Sequence, residues 1–162
     1  MRIPPKTDSK IVTLDQLDRK LAARRAYGET VAMTNGCYDT LHPGHIASLQ
    51  FARRQGDLLV VGLNSDRSVR ELKGPDRPIF LETDRAAMLA ALACVDYVVV
   101  FDETSVLSLV QRVLPDVLVK SAQYAVHEVV GHEVVTENGG RVVLAPMKPG
   151  FSTTNLVGRL AG

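Results

Sequence analysis

Two histidines three residues apart, His42 and His45, stand inside the run Thr34-Asn35-Gly36-Cys37-Tyr38-Asp39-Thr40-Leu41-His42-Pro43-Gly44-His45. A buried strand is predicted over 30–34, a tight turn at Asn35-Gly36, and a helix opening at Pro43, where the missing N–H of proline costs nothing. His42 then falls near the helix N-cap and His45 in its first turn. Imidazole donors there share space with unpaired helix amides and the positive end of the helix dipole, an environment that attracts phosphate. Neither G-x-G-x-x-G nor G-x-x-x-x-G-K-[ST] occurs in the chain, which argues against a dehydrogenase or a P-loop kinase.

The elements that must hold these residues alternate between strand-like and helix-like stretches, the pattern of a parallel sheet covered on both faces. An opening helix is predicted over 13–26: Thr13 and Gln16 have capping-box spacing, Leu14, Leu17 and Leu21 share a face, and Gly28 ends it. Helix 43–54 follows the first strand, strand 57–63 comes next, and Asn64-Ser65-Asp66 opens a short helix through Leu72. The segment 73–78 carries two prolines and a glycine and is read as a loop. Beyond it come helix 82–93, strand 95–101, helix 105–113, strand 116–120, a partly helical 127–138, strand 141–145 and a last helix beginning near Ser152. The expected fold is a Rossmann-like three-layer α/β/α sandwich with a mostly parallel sheet of five or six strands. Ligands in such sheets bind beyond the carboxyl ends of the strands. Four loops, after residues 34, 63, 120 and 151, would share that rim.

The chain has 162 residues, 46% of them hydrophobic, and no Pro/Gly-rich break, so one domain with a substantial core is expected over 1–162. Residues 1–9 are expected to fray, and 10–28 to form an N-terminal helical segment. A net charge of +1 gives no global field to recruit nucleic acid or an anionic membrane. The two cysteines, Cys37 and Cys94, suit a reducing compartment, and the first residues lack an apolar signal core. A cytoplasmic protein is the reading. Glu128, His132 and Glu133 do not have zinc-protease spacing and are read as a solvated helix face, so no protein-held metal is expected.

The H-x-G-H spacing, behind a strand and an N-G-x-x-D turn, resembles the cytidylyltransferase-like nucleotidyltransferases. Further blocks resemble one branch, the bacterial ADP-heptose synthases: Asn64-Ser65-Asp66, Lys73-Gly74-Pro75-x-Arg77-Pro78, Arg85, Val95-Asp96, Leu118-Val119-Lys120 and Ser152-Thr153-Thr154. The likeness runs from about Lys10 to the end, and without a preceding sugar kinase the chain resembles the stand-alone form. That branch transfers AMP from ATP to D-glycero-β-D-manno-heptose 1-phosphate, giving ADP-heptose and pyrophosphate for lipopolysaccharide and related surface glycans.

By this resemblance His42, His45 and Lys73 are catalytic. Asn35, Gly36, Cys37, Tyr38, Gly44, Asn64, Asp66, Lys120, Ser152, Thr153 and Thr154 bind nucleotide, the last three at the departing pyrophosphate. Asp39, Lys73, Arg77 and Tyr124 bind the sugar phosphate, Lys73 and Arg77 as mobile cations on their loop. Mg²⁺ would bridge phosphate oxygens, with Asp39 orienting the loop or a metal-bound water, and the small-molecule substrates would be met by a homodimer. A sugar phosphate is already close to a dianion at neutral pH and needs no general base, so the work is charge neutralisation and alignment.

Taken as residues alone, Ser152, Thr153 and Thr154 equally fit an N-cap, Asn64 to Asp66 a helix start, and Lys73 and Arg77 solvated loop charges. Arg85 and Asp96 read as structural, and Cys37 as a small filler behind the site. The branch usually shows Gly-Gly-Asp-Tyr after the lysine, whereas Ser121-Ala122-Gln123-Tyr124 stands here. The change adds Cβ atoms and removes an anionic acceptor, which bears on base or acceptor choice. A cytidylyltransferase for glycerol 3-phosphate or another polyol phosphate is the alternative in the same class. A catalytically silent nucleotide-binding module is the alternative in another, against which intact His42, His45, Lys73 and Ser152 speak.

Overall fold

The structure, a computed structural model, describes residues 7–150. Five strands, β1 (Val31–Gly36), β2 (Leu58–Asn64), β3 (Tyr97–Phe101), β4 (Val117–Ser121) and β5 (Arg141–Ala145), form one sheet in the order β3-β2-β1-β4-β5. Every pairing is parallel. Helices α1 (Leu14–Ala26), α2 (Pro43–Arg53), α3 (Asp66–Lys73), α4 (Glu82–Ala90), α5 (Leu107–Val113) and α6 (His132–Glu137) complete the described elements, with 3-10 turns at Thr7–Lys10 and Val126–Glu128.

Successive strand residues point to opposite faces, and each face has its own core. Val31, Met33, Leu58, Val60, Val99 and Leu118 pack with Leu17 and Leu21 of α1, Val110 of α5 and Val135 of α6. Ala32, Leu59, Val61, Val98, Val117 and Val119 pack with Leu49 of α2 and Leu89 of α4. The expected three-layer sandwich is therefore present, with five strands among the described residues.

Local signals set the ends of the elements. The Thr13 capping box forms in both directions, Gln16 N–H to Thr13 Oγ1 at 3.2 Å and Thr13 N–H to Gln16 Oε1 at 2.9 Å. Asp116 and Asp96 accept amides at the start of neighbouring strands, Val31 N–H at 2.7 Å and Leu59 N–H at 2.8 Å, so Asp96 is structural as read.

Several boundaries differ from expectation. Asn35 and Gly36 are not a turn: they end β1, opposite Gly62 and Leu63, because pairing with β2 satisfies their backbone. The turn falls two residues further on, at Tyr38, whose φ of +44° is left-handed. Helix 82–93 stops at Ala90 and strand 95–101 starts at Tyr97. The stretch 127–138 is divided by Gly131, at φ +91°, into a 3-10 turn and α6. Residues 7–9, expected to fray, are held in a 3-10 turn, and Val12 N–H then donates to Val98 O of edge strand β3 at 2.9 Å. The helix expected near Ser152 lies outside the described residues.

Candidate functional site

Strands β1 and β4 are neighbours, yet the chain runs from β1 to β2 on one side and from β4 to β5 on the other. Connections that diverge in this way leave a crevice at the strands' carboxyl ends. A cleft of about 370 Å³ opens there. Its walls are Thr34 to Tyr38 from the end of β1, His45 and Ser48 from α2, Lys73 from the end of α3, and Lys120, Ser121, Gln123 and Tyr124 from the end of β4. Residues far apart in sequence converge here.

The histidine pair has a defined geometry. His42 is the extended N-cap of α2, and its Nδ1 accepts the His45 amide at 3.3 Å. With Nδ1 an acceptor, the neutral ring carries its proton on Nε2. The two imidazoles stack at 3.8 Å between centroids and 18° between planes, and Tyr38 meets His45 edge-on at 5.2 Å. Burial pulls His42 below the usual histidine range. His45 is pulled down to about 4, first by burial and then by the neighbouring His42 and Lys73. At neutral pH the rings are therefore uncharged N–H donors.

Gly36 lets the Tyr38 ring fold close over the end of β1: a Cβ there would lie 3.2 Å from that ring, a tight contact. Cys37, expected behind the site, instead helps line the cleft, and burial raises its thiol pKa, so it is present as the weakly nucleophilic thiol at neutral pH. Lys120 reaches the Asn35 carbonyl at 3.5 Å and is lowered to about 8 by burial. An anion entering beside it favours the ammonium, so its pKa rises on binding. Affinity for a phosphate-bearing ligand in this cleft is expected to weaken as pH climbs through about 8, with proton uptake on binding near that pH. Calorimetry at pH 8 in two buffers of different ionisation enthalpy measures this, and buffer-independent heats with constant affinity from about pH 7 to 9 would refute it.

Four expected ligand-binding residues do other work. The Asp39 carboxylate is buried and is taken up by Arg77 and by the Ile79 amide at 2.6 Å. Arg77 is thus not a mobile cation; a buried carboxylate fixes it, and neither residue lines the cleft. Asp66 accepts from Arg85 Nη2 at 2.7 Å instead of facing ligand. Gly44 serves the first turn of α2 without lining the cleft. Asn64 borders a second cleft, of about 460 Å³, that shares Asn35, Cys37, Lys120 and Tyr124 with the first. Ser152, Thr153 and Thr154 lie outside the described residues.

Arg85 was expected to be structural and is the central clamp. Fully buried, it donates to Phe80 O at 2.9 Å, Cys37 O at 2.6 Å, Asn64 O at 2.8 Å and Asp66 Oδ1 at 2.7 Å. One guanidinium thereby ties the histidine loop, the end of β2, the start of α3 and the entry to α4. Ser48 and Gln123, cleft residues that no motif singled out as ligands, are brought in by the turn of α2 and the end of β4.

The bifunctional protein HldE of Syntrophotalea carbinolica is 53% identical over 153 residues, 94% of this chain and 31% of that protein. The bifunctional protein HldE of Rhodospirillum rubrum is 54% identical over 155 residues, 96% of this chain and 31% of that protein. The chain spans about a third of the length of these curated relatives. The crystal structure of the lipopolysaccharide core biosynthesis protein from Thermoplasma volcanium superposes with a TM-score of 0.62 at 28% identity, covering 75% of this chain and 98% of that one. A family model described as cytidylyltransferase-like matches residues 33–159, from within β1 onward, and the chain belongs to that family.

Proposed function

We propose that the chain transfers AMP from ATP to D-glycero-β-D-manno-heptose 1-phosphate, forming ADP-heptose and pyrophosphate for surface glycan synthesis. The observation that carries the reading is the convergence of His45, Lys73 and Lys120 on one cleft at the switch point of the sheet. Similarity to the bifunctional HldE proteins and to a lipopolysaccharide core biosynthesis protein supports the choice of acceptor.

An acceptor phosphate oxygen attacks the α-phosphorus, and the bond from that phosphorus to the oxygen bridging the β-phosphate breaks. Pyrophosphate departs with the electron pair, and no side chain need remove a proton. The His45 imidazole, backed by His42, and the Lys73 and Lys120 ammonium groups face the oxygens on which charge accumulates. Ser152, Thr153 and Thr154 are assigned to the departing pyrophosphate. No three His, Cys, Asp or Glu side chains converge among the described residues, and Asp39 is already engaged. Mg²⁺ would enter with the nucleotide as part of the substrate.

A cytoplasmic homodimer completes the reading. No helix among the described residues is long and apolar enough to cross a membrane. Ser121 and Gln123 border the cleft where the branch usually has glycine and aspartate, which favours testing CTP and glycerol 3-phosphate beside the leading pair. Pyrophosphate release from each nucleotide with each acceptor is the test. Release only with ATP and heptose 1-phosphate is the expected result; turnover confined to CTP and glycerol 3-phosphate, or ATP binding with no turnover at all, would overturn it.

A further inference from the structure

Lys73 is the last residue of α3, and the core does not hold that end of the helix. The buried residues of α3 are Ser68 and Val69, whereas residues 70–73 are all exposed. Helix ends without buried side chains fray. Among the described residues the Lys73 ammonium has no hydrogen-bond or ion-pair partner either, so its direction into the cleft is set by the backbone that carries it. Burial dominates the shifts at Cys37 and His45, and the charge of Lys73 acts on both, which puts that charge beside them.

The segment after Lys73 supplies the missing hold. Gly74 N–H closes on Arg70 O at 2.9 Å, and Arg77 N–H closes on Gly74 O at 3.2 Å. The Arg77 guanidinium and the Ile79 amide, the latter at 2.6 Å, then both end on the Asp39 carboxylate. That carboxylate is 0% exposed and Arg77 21%, so the charge must stay paired. Gly74 joins helix to turn at φ +104° and ψ 169°, which a side chain would resist although a Cβ there would meet nothing within 4 Å. Asp39 stands three residues before His42 in the loop after β1. One buried ion pair thereby ties the histidine loop to the turn that begins at Lys73, and neither of its members lines the cleft.

We propose that Arg77 and Asp39 are positioning residues for Lys73 and act on the nucleotide phosphates only through it. The inference rests on the transferase reading for its kinetic readout. It places neither side chain on the acceptor.

A functional double-mutant cycle on the full chain tests this. Arg77→Gln, which keeps a donor for Asp39 without the charge, is expected to lower kcat/KM for ATP about tenfold, within what a misplacement of roughly 1 Å can cost. Lys73→Ala is expected to lose at least as much. In the Lys73→Ala background Arg77→Gln should move neither kcat nor KM by more than about twofold, whereas groups that touch ligand independently multiply their losses. Arg77→Lys should return to within about threefold of wild type, because the contact to replace is a single N–H on one carboxylate oxygen. A double variant whose loss equals the product of the single losses would overturn the proposal, as would an Arg77→Gln enzyme with wild-type kinetics. If Arg77→Gln does not fold, Asp39→Asn, whose Oδ1 still accepts the Ile79 amide, takes its place in the same cycle. If the wild type turns over no acceptor, the transferase reading falls, and the cycle is read on the Kd for ATP by calorimetry. Binding weakened about tenfold by Arg77→Gln, with no further weakening beside Lys73→Ala, supports the positioning role. Multiplied losses, or no binding of ATP to the wild type, refute it.

Discussion

His45→Ala is expected to lower kcat by about 10²–10³, the usual cost of removing one preorganised donor from a site where charge develops, with a much smaller change in KM for ATP. The ring is held on three sides: by its position in the first turn of α2, by the stacked His42 at 3.8 Å and by the edge of Tyr38 at 5.2 Å. No reorganisation is needed when the phosphorus changes partners, which is the condition under which a neutral donor is most effective. Its pKa of about 4 means that the free enzyme does not gain or lose this proton between pH 6 and 8. A kcat/KM profile should therefore show no His45 inflection in that window. His42→Ala should be comparably slow and also lose the cap on α2, a stability cost of about 0.5–2 kcal/mol, whereas His42→Asn should restore the cap but not the rate. Pre-steady-state measurement of pyrophosphate release separates chemistry from product departure. A His45→Ala enzyme within threefold of wild-type kcat would remove the histidine pair from the mechanism.

Arg85→Ala is expected to cost about 3–5 kcal/mol of stability, the range for breaking a buried ion pair by removing one partner. The substitution strands Asp66 and the carbonyls of Cys37, Asn64 and Phe80, all within 2.9 Å of the guanidinium. Buried acceptors left without donors are the expensive outcome. For a chain of this size the loss corresponds to a fall of roughly 6–20 °C in Tm. Arg85→Lys should recover only part of it, since an ammonium cannot span acceptors on four segments as a planar guanidinium does. Urea unfolding of both variants gives the comparison. A loss below about 1 kcal/mol for Arg85→Ala would show that these bonds are replaced by water and that the clamp is not central.

Much of the architecture was legible because the signals are local. The Thr13-Gln16 box, Pro43 at the first position of α2 and the alternation of Val, Leu and Ile each act within a few residues. They define the helices, the strands and the parallel sheet whatever the rest of the chain does. The histidine motif was legible for the same reason, since the cap that orients His42 is made by the amide of His45, three residues away. The errors fall where a distant partner decides. Asn35 and Gly36 look like a turn but are claimed by β2. Residues 7–9 look frayed but lead into a bridge on β3.

Charged residues divide in the same way. Lys73, Arg77, Asp39 and Asp66 carry similar weight in the sequence, and local chemistry does not say which will meet a ligand and which will meet one another. Asp39 and Arg77 are 38 positions apart, and Cys37 and Arg85 are 48 apart. Those pairs exist only once the strand order β3-β2-β1-β4-β5 has brought the ends of β1, β2 and β4 to one rim. The sequence by itself determined the layers, the helix caps and the histidine pair at the start of α2, because short-range hydrogen bonds and side-chain periodicity specify them. The tertiary structure alone decided that Asp39, Arg77, Asp66 and Arg85 hold the frame while Lys73 and Lys120 are left facing the clefts. A buried charge must be paired, and its partner is whichever group the fold places within reach.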